Sequence, residues 1–223
     1  MGVLLMLMTI GGLFVAVILL IAAAITKRGW LAKFVGYAIA IWFAFYAAML
    51  LGFSFTSKEK VLAENQPKEY CGFYLDCHMH TEVTGVRTAK TIGKLMANST
   101  FCIVNVKVFS DAKNPNIKMR LLEPKARIIE DSLRIERDLE AESLLPTANV
   151  QLDQDVTRDN SIEKEIVFDI EPSRLGPNGM AKLLITEGYG IDKTIEHVLP
   201  GDEDSLFHAQ TFFDLSKADV ASN

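Results

Sequence analysis

Charge is missing from two long stretches of this 223-residue chain: no charged side chain occurs between Met1 and Thr26, and none between Phe34 and Ser57. Each stretch exceeds the roughly 20 residues that a helix rising 1.5 Å per residue needs to cross a ~30 Å hydrocarbon layer. The sequence therefore predicts a two-span transmembrane helical hairpin, with spans at about 3–26 and 34–56. A cleaved signal peptide is the competing reading. It is disfavoured because the chain opens Met1-Gly2-Val3-Leu4-Leu5, without the basic start and the short apolar core of such peptides.

Other absences narrow the function. No basic cluster follows the second apolar stretch, and removing the three loop cations from the formal net charge of −5 leaves about −8 on the remainder. Nucleic acid is thus excluded as an expected partner. There is no G-x-S-x-G elbow, no H-E-x-x-H helix and no P-loop, so hydrolase and nucleotide-binding readings lack support. No catalytic residue is assigned, and an enzyme is the less favoured of the two readings. No internal repeat occurs either.

Between the apolar stretches stand Lys27, Arg28 and Lys33 with no acid to balance them. The positive-inside rule makes that loop cytoplasmic and puts both termini outside. The expected setting is a bacterial inner membrane, with the remainder of the chain periplasmic or extracellular. Residues 58–69, where Lys58, Lys60 and Lys68 alternate with Glu59, Glu64 and Glu69, read as a solvated stalk.

Beyond it, over 70–216, short β-favouring runs are punctuated by Gly, Pro, Asn and Asp. Phe101 to Ser110 is the clearest, with Val104, Val106 and Val108 alternating with Asn105 and Lys107 as a half-buried strand requires. Further strands are expected at 80–89, 117–122, 126–129, 133–137, 162–170, 181–186 and 209–215. Glu123 to Leu145 has helix-favouring composition, yet Glu130-Asp131-Ser132 is a turn signal and favours a hairpin there. Residues 147–160 read as a loop and 217–223 as a flexible tail. Strands without interleaved helices argue for an all-β antiparallel sandwich.

The runs FCIVNVKVFSDAKNP, ARIIEDSLRIERD and EIVFDIEP, together spanning 101–172, resemble the strand pattern of telokin-like, immunoglobulin-like domains of the DUF4352 type. The resemblance implies a small extracytoplasmic immunoglobulin-like sandwich tethered to a bacterial membrane. It implies no activity.

The densest chemistry lies in Tyr70-Cys71-Gly72-Phe73-Tyr74-Leu75-Asp76-Cys77-His78-Met79-His80. On the oxidising side of a membrane Cys71 and Cys77 can close a disulfide, which leaves Cys102 as a buried free thiol in its strand; pairing of Cys102 with either is a second option. The alternative is a copper or zinc site drawing on Cys71, Cys77, His78 and His80, with Met79 as a weak axial ligand. On a single extended strand His78 and His80 would share one face, with Cys77 and Met79 on the other, so such a site needs a turn between the cysteines.

Two spans ahead of an outer β-domain also resemble subunit II of haem–copper oxidases, but in architecture alone. That subunit's copper-binding cysteines are separated by three residues, whereas five lie between Cys71 and Cys77. Covalent haem needs C-x-x-C-H, of which only Cys77-His78 is present. His197 and His208, near Glu196, Asp202, Glu203 and Asp204, read as surface histidines on a polar loop.

Taken together, these features describe a membrane-tethered extracytoplasmic binding or structural module without a cofactor. Its expected partners are the lipid bilayer and other membrane subunits or further copies of itself. Small residues, among them Gly11, Gly12, Ala22, Ala23, Ala24, Ala47 and Ala48, would let its spans pack closely on neighbouring helices. The alternative function is metal handling or electron transfer through the 71–80 cluster.

Overall fold

Neither uncharged stretch contains proline, and each carries helix-compatible aliphatic residues throughout. In a computed structural model, which describes residues 2–71, 77–130, 133–176, 179–188 and 195–216, both are helical. α1 spans Gly2–Ile25 and α2 spans Gly29–Thr56. The connection is tight, with Lys27 in the left-handed region at φ 52°. α2 starts earlier than the charge pattern alone suggests and takes Lys33 into its first turns, since a single lysine near a helix end does not interrupt backbone hydrogen bonding.

The chain divides into two units, Met1–Lys58 with Ile191–Gln210, and Glu59–Gly190 with Thr211–Asn223. In the first, α1 and α2 pair along their length. The Trp42 indole N–H donates to the Thr9 hydroxyl at 3.0 Å, and that hydroxyl donates in turn to the Leu5 carbonyl at 2.8 Å. The described part of 195–210 packs against the end of the hairpin where α1 begins and α2 finishes. Tyr46 donates its hydroxyl to the Val198 carbonyl at 2.6 Å, and the Ala209 N–H donates to Ser57 Oγ at 2.7 Å. Phe207 stacks on Phe55 with ring centroids 6.0 Å apart. A Cβ on Gly2 would lie 2.7 Å from the Pro200 carbonyl oxygen, a close approach that glycine permits. The segment expected to be a loop of the β-domain therefore belongs to the helical unit.

The second unit is β-rich. Its strands are β1 (Lys60–Leu62), β2 (Lys68–Tyr70), β3 (Met79–Ile92), β4 (Leu95–Ser110), β5 (Lys125–Glu130), β6 (Leu133–Glu136), β7 (Ile162–Asp169), β8 (Lys182–Thr186) and β9 (Thr211–Asp214). They form a five-stranded sheet in the order β1-β9-β8-β5-β6 and a four-stranded sheet in the order β2-β3-β4-β7. β1 runs parallel to β9, and the other described pairings are antiparallel. One apolar core draws Ile128, Leu183, Ile185 and Phe213 from the first sheet and Val83, Val104, Val106, Val108, Ile166 and Phe168 from the second.

β4 shows why its sequence was legible. Cys102, Val104, Val106 and Val108 face that core, while Phe101 and Ile103 face a smaller cluster with Val167, Ala141 and Leu145 on the outer side of the same sheet. The outer cluster is closed by α3 (Leu139–Ser143), whose first turn is capped by Asp138 accepting from the Ala141 N–H at 2.9 Å. The β3–β4 hairpin turns at Gly93, which takes φ +59°.

Two expectations need correcting. Residues 58–69 are not a bare stalk: β1 and β2 lie within and just beyond them, one in each sheet. Lys68 turns inward, buried, and donates from Nζ to the Ile185 carbonyl at 3.1 Å. Residues 117–122 do not form a strand; Met119 makes an isolated bridge to Val156, and Leu121 plugs the core from a loop. Elsewhere the 123–145 region is the expected hairpin, β5 with β6, followed by α3. The proposed turn residues Asp131 and Ser132, the interior of the cysteine loop at 72–76 and the tail at 217–223 lie outside the described residues.

Candidate functional site

The Cys/His cluster sits where β3 begins. Cys71 and Cys77 are joined in a disulfide, and Cys102 is a buried free thiol. As a disulfide, neither Cys71 nor Cys77 offers the thiolate that a copper or zinc ion binds. Met79 is buried in the core, on the face opposite His80. The ligand set Cys71, Cys77, His78, His80 and Met79 is therefore not brought together. The alternation expected for an extended segment holds, and it leaves the two histidines side by side on the outer face of the four-stranded sheet.

A third residue joins them from across the hairpin. Register pairs Met79 with Ser110 and His80 with Phe109, and the Asp111 N–H donates to the His78 carbonyl at 3.2 Å. Asp111 is thus opposite His78 on the same face. Its Oδ1 lies 2.6 Å from His78 Nδ1 and 3.2 Å from His80 Nε2. The two imidazoles hold the Asp111 carboxyl below the usual carboxylate range, His78 contributing most through its hydrogen bond and His80 next.

The two contacts are unequal. His78 and Asp111 have exposed side chains, whereas the His80 side chain is only 7% exposed. Its ring stacks on Phe109 with centroids 5.1 Å apart. Although Nε2 is close to Asp111, its direction misses the oxygen, and both ring nitrogens of His80 are buried without a well-formed hydrogen bond. A buried polar atom in that condition forfeits its hydration without recompense.

The surroundings are acidic. Glu69 pairs with His80 in the β2–β3 register and so stands on the same face. Glu82, one step further along β3, is bound to Lys107 at 2.9 Å, and the Lys107 ammonium lies 5.0 Å from the Phe109 ring centre. The Lys107 ammonium is thus held by Glu82 on that face.

In the helical unit, Glu196, Asp202 and Asp204 bring carboxylate oxygens within 4.8 Å of one another. The Asp204 N–H donates to Asp202 Oδ1 at 2.9 Å, an ordinary turn contact. His197 and His208 are half-buried in that segment rather than displayed on the surface. His208 Nδ1 lies 2.9 Å from the Ala209 carbonyl oxygen.

Sequence reasoning found His78 and His80 but not Asp111. An Asp after a strand carries no signal of its own; only the hairpin register places it against the histidines. Compared with protein-family models, curated proteins and solved structures, the chain matches none.

Proposed function

We propose that the chain is a membrane-tethered binding or structural module whose β-unit, an immunoglobulin-like sandwich of the DUF4352 type, works outside the membrane as an accessory subunit of a larger assembly or in a homo-oligomer. The observation that carries this reading is the surface of the helical hairpin. Over helices of 24 and 28 residues the buried residues are Met6, Ala23, Val35 and Ser54, while Phe14, Ile25, Tyr37 and Ile41 are each 69% exposed or more. A water-soluble protein does not leave so large a continuous apolar surface uncovered. Lengths of about 36 and 42 Å suit a bilayer with an overhang at one end.

Two further features support it. Sites for a Cβ at Gly11, Gly12, Gly36 and Gly52 meet no neighbouring atom within 4 Å, so the small residues are not consumed by packing within the hairpin and remain available to helices of a partner. The segment packed on the hairpin end presents Val198, Leu206 and Phe207 outward beside the exposed Phe55. Apolar groups at that level suit the boundary between headgroups and acyl chains.

Light scattering on the full-length protein, extracted in mild detergent, tests the assembly. A homo-oligomer or a stoichiometric co-purifying chain is expected, and a lone monomer overturns the reading. Orientation is tested separately with K27C in intact cells: an impermeant thiol reagent should leave it unlabelled, and labelling reverses the assigned topology.

A further inference from the structure

We propose that His78, His80 and Asp111 form a binding site for a divalent transition-metal ion of the zinc type, built without cysteine. Three observations converge on it. Two imidazole nitrogens approach one carboxylate oxygen, at 2.6 Å from His78 Nδ1 and 3.2 Å from His80 Nε2. His80 is buried, and its ring nitrogens lack well-formed hydrogen bonds, so a Lewis acid at Nε2 satisfies a group that the protein alone does not. The face around them carries Glu69 and Asp111, while Lys107 is held by Glu82.

The donor set selects the ion. Borderline imidazole nitrogens with one carboxylate suit zinc and its neighbours, whereas calcium and magnesium prefer sites built from oxygen alone. Bonds of about 2.0–2.2 Å put the ligand atoms of a tetrahedral zinc roughly 3.3 Å apart. The two nitrogens now flank Asp111 Oδ1. Rotation of the exposed His78 and Asp111 side chains yields that position to the ion and draws the three donors round it.

His80 is the fixed ligand, held by its stack on Phe109 and by strand pairing on both sides, to Glu69 in β2 and Phe109 in β4. Water completes the shell on the exposed side, with Glu69 a further carboxylate on that face. The neighbouring disulfide anchors the chain immediately ahead of His78 without entering the coordination sphere. The site is independent of the tether reading.

The test is equilibrium dialysis of chelator-stripped, oxidised full-length protein in detergent against zinc, read by elemental analysis, with cobalt absorption as a second readout. One zinc per chain is expected, together with the cobalt bands of a tetrahedral nitrogen–oxygen site. H78A and D111N, both at exposed side chains, should each weaken binding by at least about tenfold. The double variant C71S/C77S should keep the ion. Wild-type binding no tighter than that of H78A and D111N overturns the proposal, and so does loss of zinc in C71S/C77S with retention in D111N. A zinc stoichiometry abolished by D202N/D204N and untouched by D111N reassigns the ion to the acidic group at 196–204 and likewise overturns it.

Discussion

Arg137 grips Glu142 through two hydrogen bonds, Nε to Oε1 at 2.8 Å and Nη2 to Oε2 at 2.5 Å, and the carboxylate they hold is 3% exposed. Lys164 Nζ stands 3.8 Å from Oε2, and the Val167 N–H donates to Oε1 at 3.1 Å. α3 is therefore pinned to β7 by one buried anion with partners on two sides.

Removing that anion takes the charged partner from Arg137 and from the buried Lys164, which keeps only its donation to the Thr147 carbonyl at 3.1 Å and a longer contact with Ala148. Replacement of Glu142 by alanine should cost about 3–5 kcal/mol, the range for breaking a buried ion pair from one side. Denaturant unfolding of the full chain in detergent checks this. A loss under about 1 kcal/mol would show that the pair is no more than a surface contact.

Burial pushes the Cys102 thiol up from an ordinary value of 9.0 to about 12. The unfolded chain thus loses its thiol proton first as pH rises. The stabilisation from keeping a neutral thiol in the core is complete below about pH 9 and is lost progressively between pH 9 and 12, by about 1.4 kcal/mol per unit. The unfolding midpoint of the wild type should accordingly fall more steeply over that window than that of C102A; parallel curves would contradict the burial. In the native state at pH 8, Cys102 should resist alkylation, and denaturation should release one free thiol.

Phe207 adopts φ +64° and is 70% exposed, an unfavourable placement for an aromatic ring in water. With Val198 and Leu206 it should sit at the acyl boundary. An environment-sensitive fluorophore on F207C, in protein reconstituted into bilayers, is expected to be quenched by lipids spin-labelled near the carbonyl level. An emission spectrum characteristic of water, with no lipid quenching, would remove the segment from the membrane.

What could be read from the sequence follows physical lines. The helices were legible because charge is absent from all of α1 and from α2 beyond Lys33, and β4 because three valines alternate with Asn105 and Lys107. β1 and β2 were not: Lys60-Val61-Leu62 and Lys68-Glu69-Tyr70 are three-residue strands in a segment of alternating Lys and Glu that looks solvated, and the Ile185 carbonyl that Lys68 reaches is far along the chain. Residues 117–122 had strand composition without a strand partner, so Leu121 fills the core from irregular backbone. At the candidate site the period-two argument correctly placed His78 and His80 on one face and Met79 on the other. Asp111, 33 residues along from His78, needed the register of a hairpin that turns at Gly93. The affiliation of 195–210 with the helices was hidden for a similar reason, since its contacts with Tyr46, Ser54 and Ser57 are more than 150 residues away in sequence.

The parallel pairing of β1 with β9, residue 60 against 211 through 62 against 213, sets a timetable for biogenesis. The first strand made after α2 has its sheet neighbour 151 residues further on, residue 60 against residue 211. β3 and β4 can zip as soon as both have been made, but β1 must wait until residues 211–213 have been synthesised. Until then the edge of β1 stands unpaired and open to strand pairing with another chain.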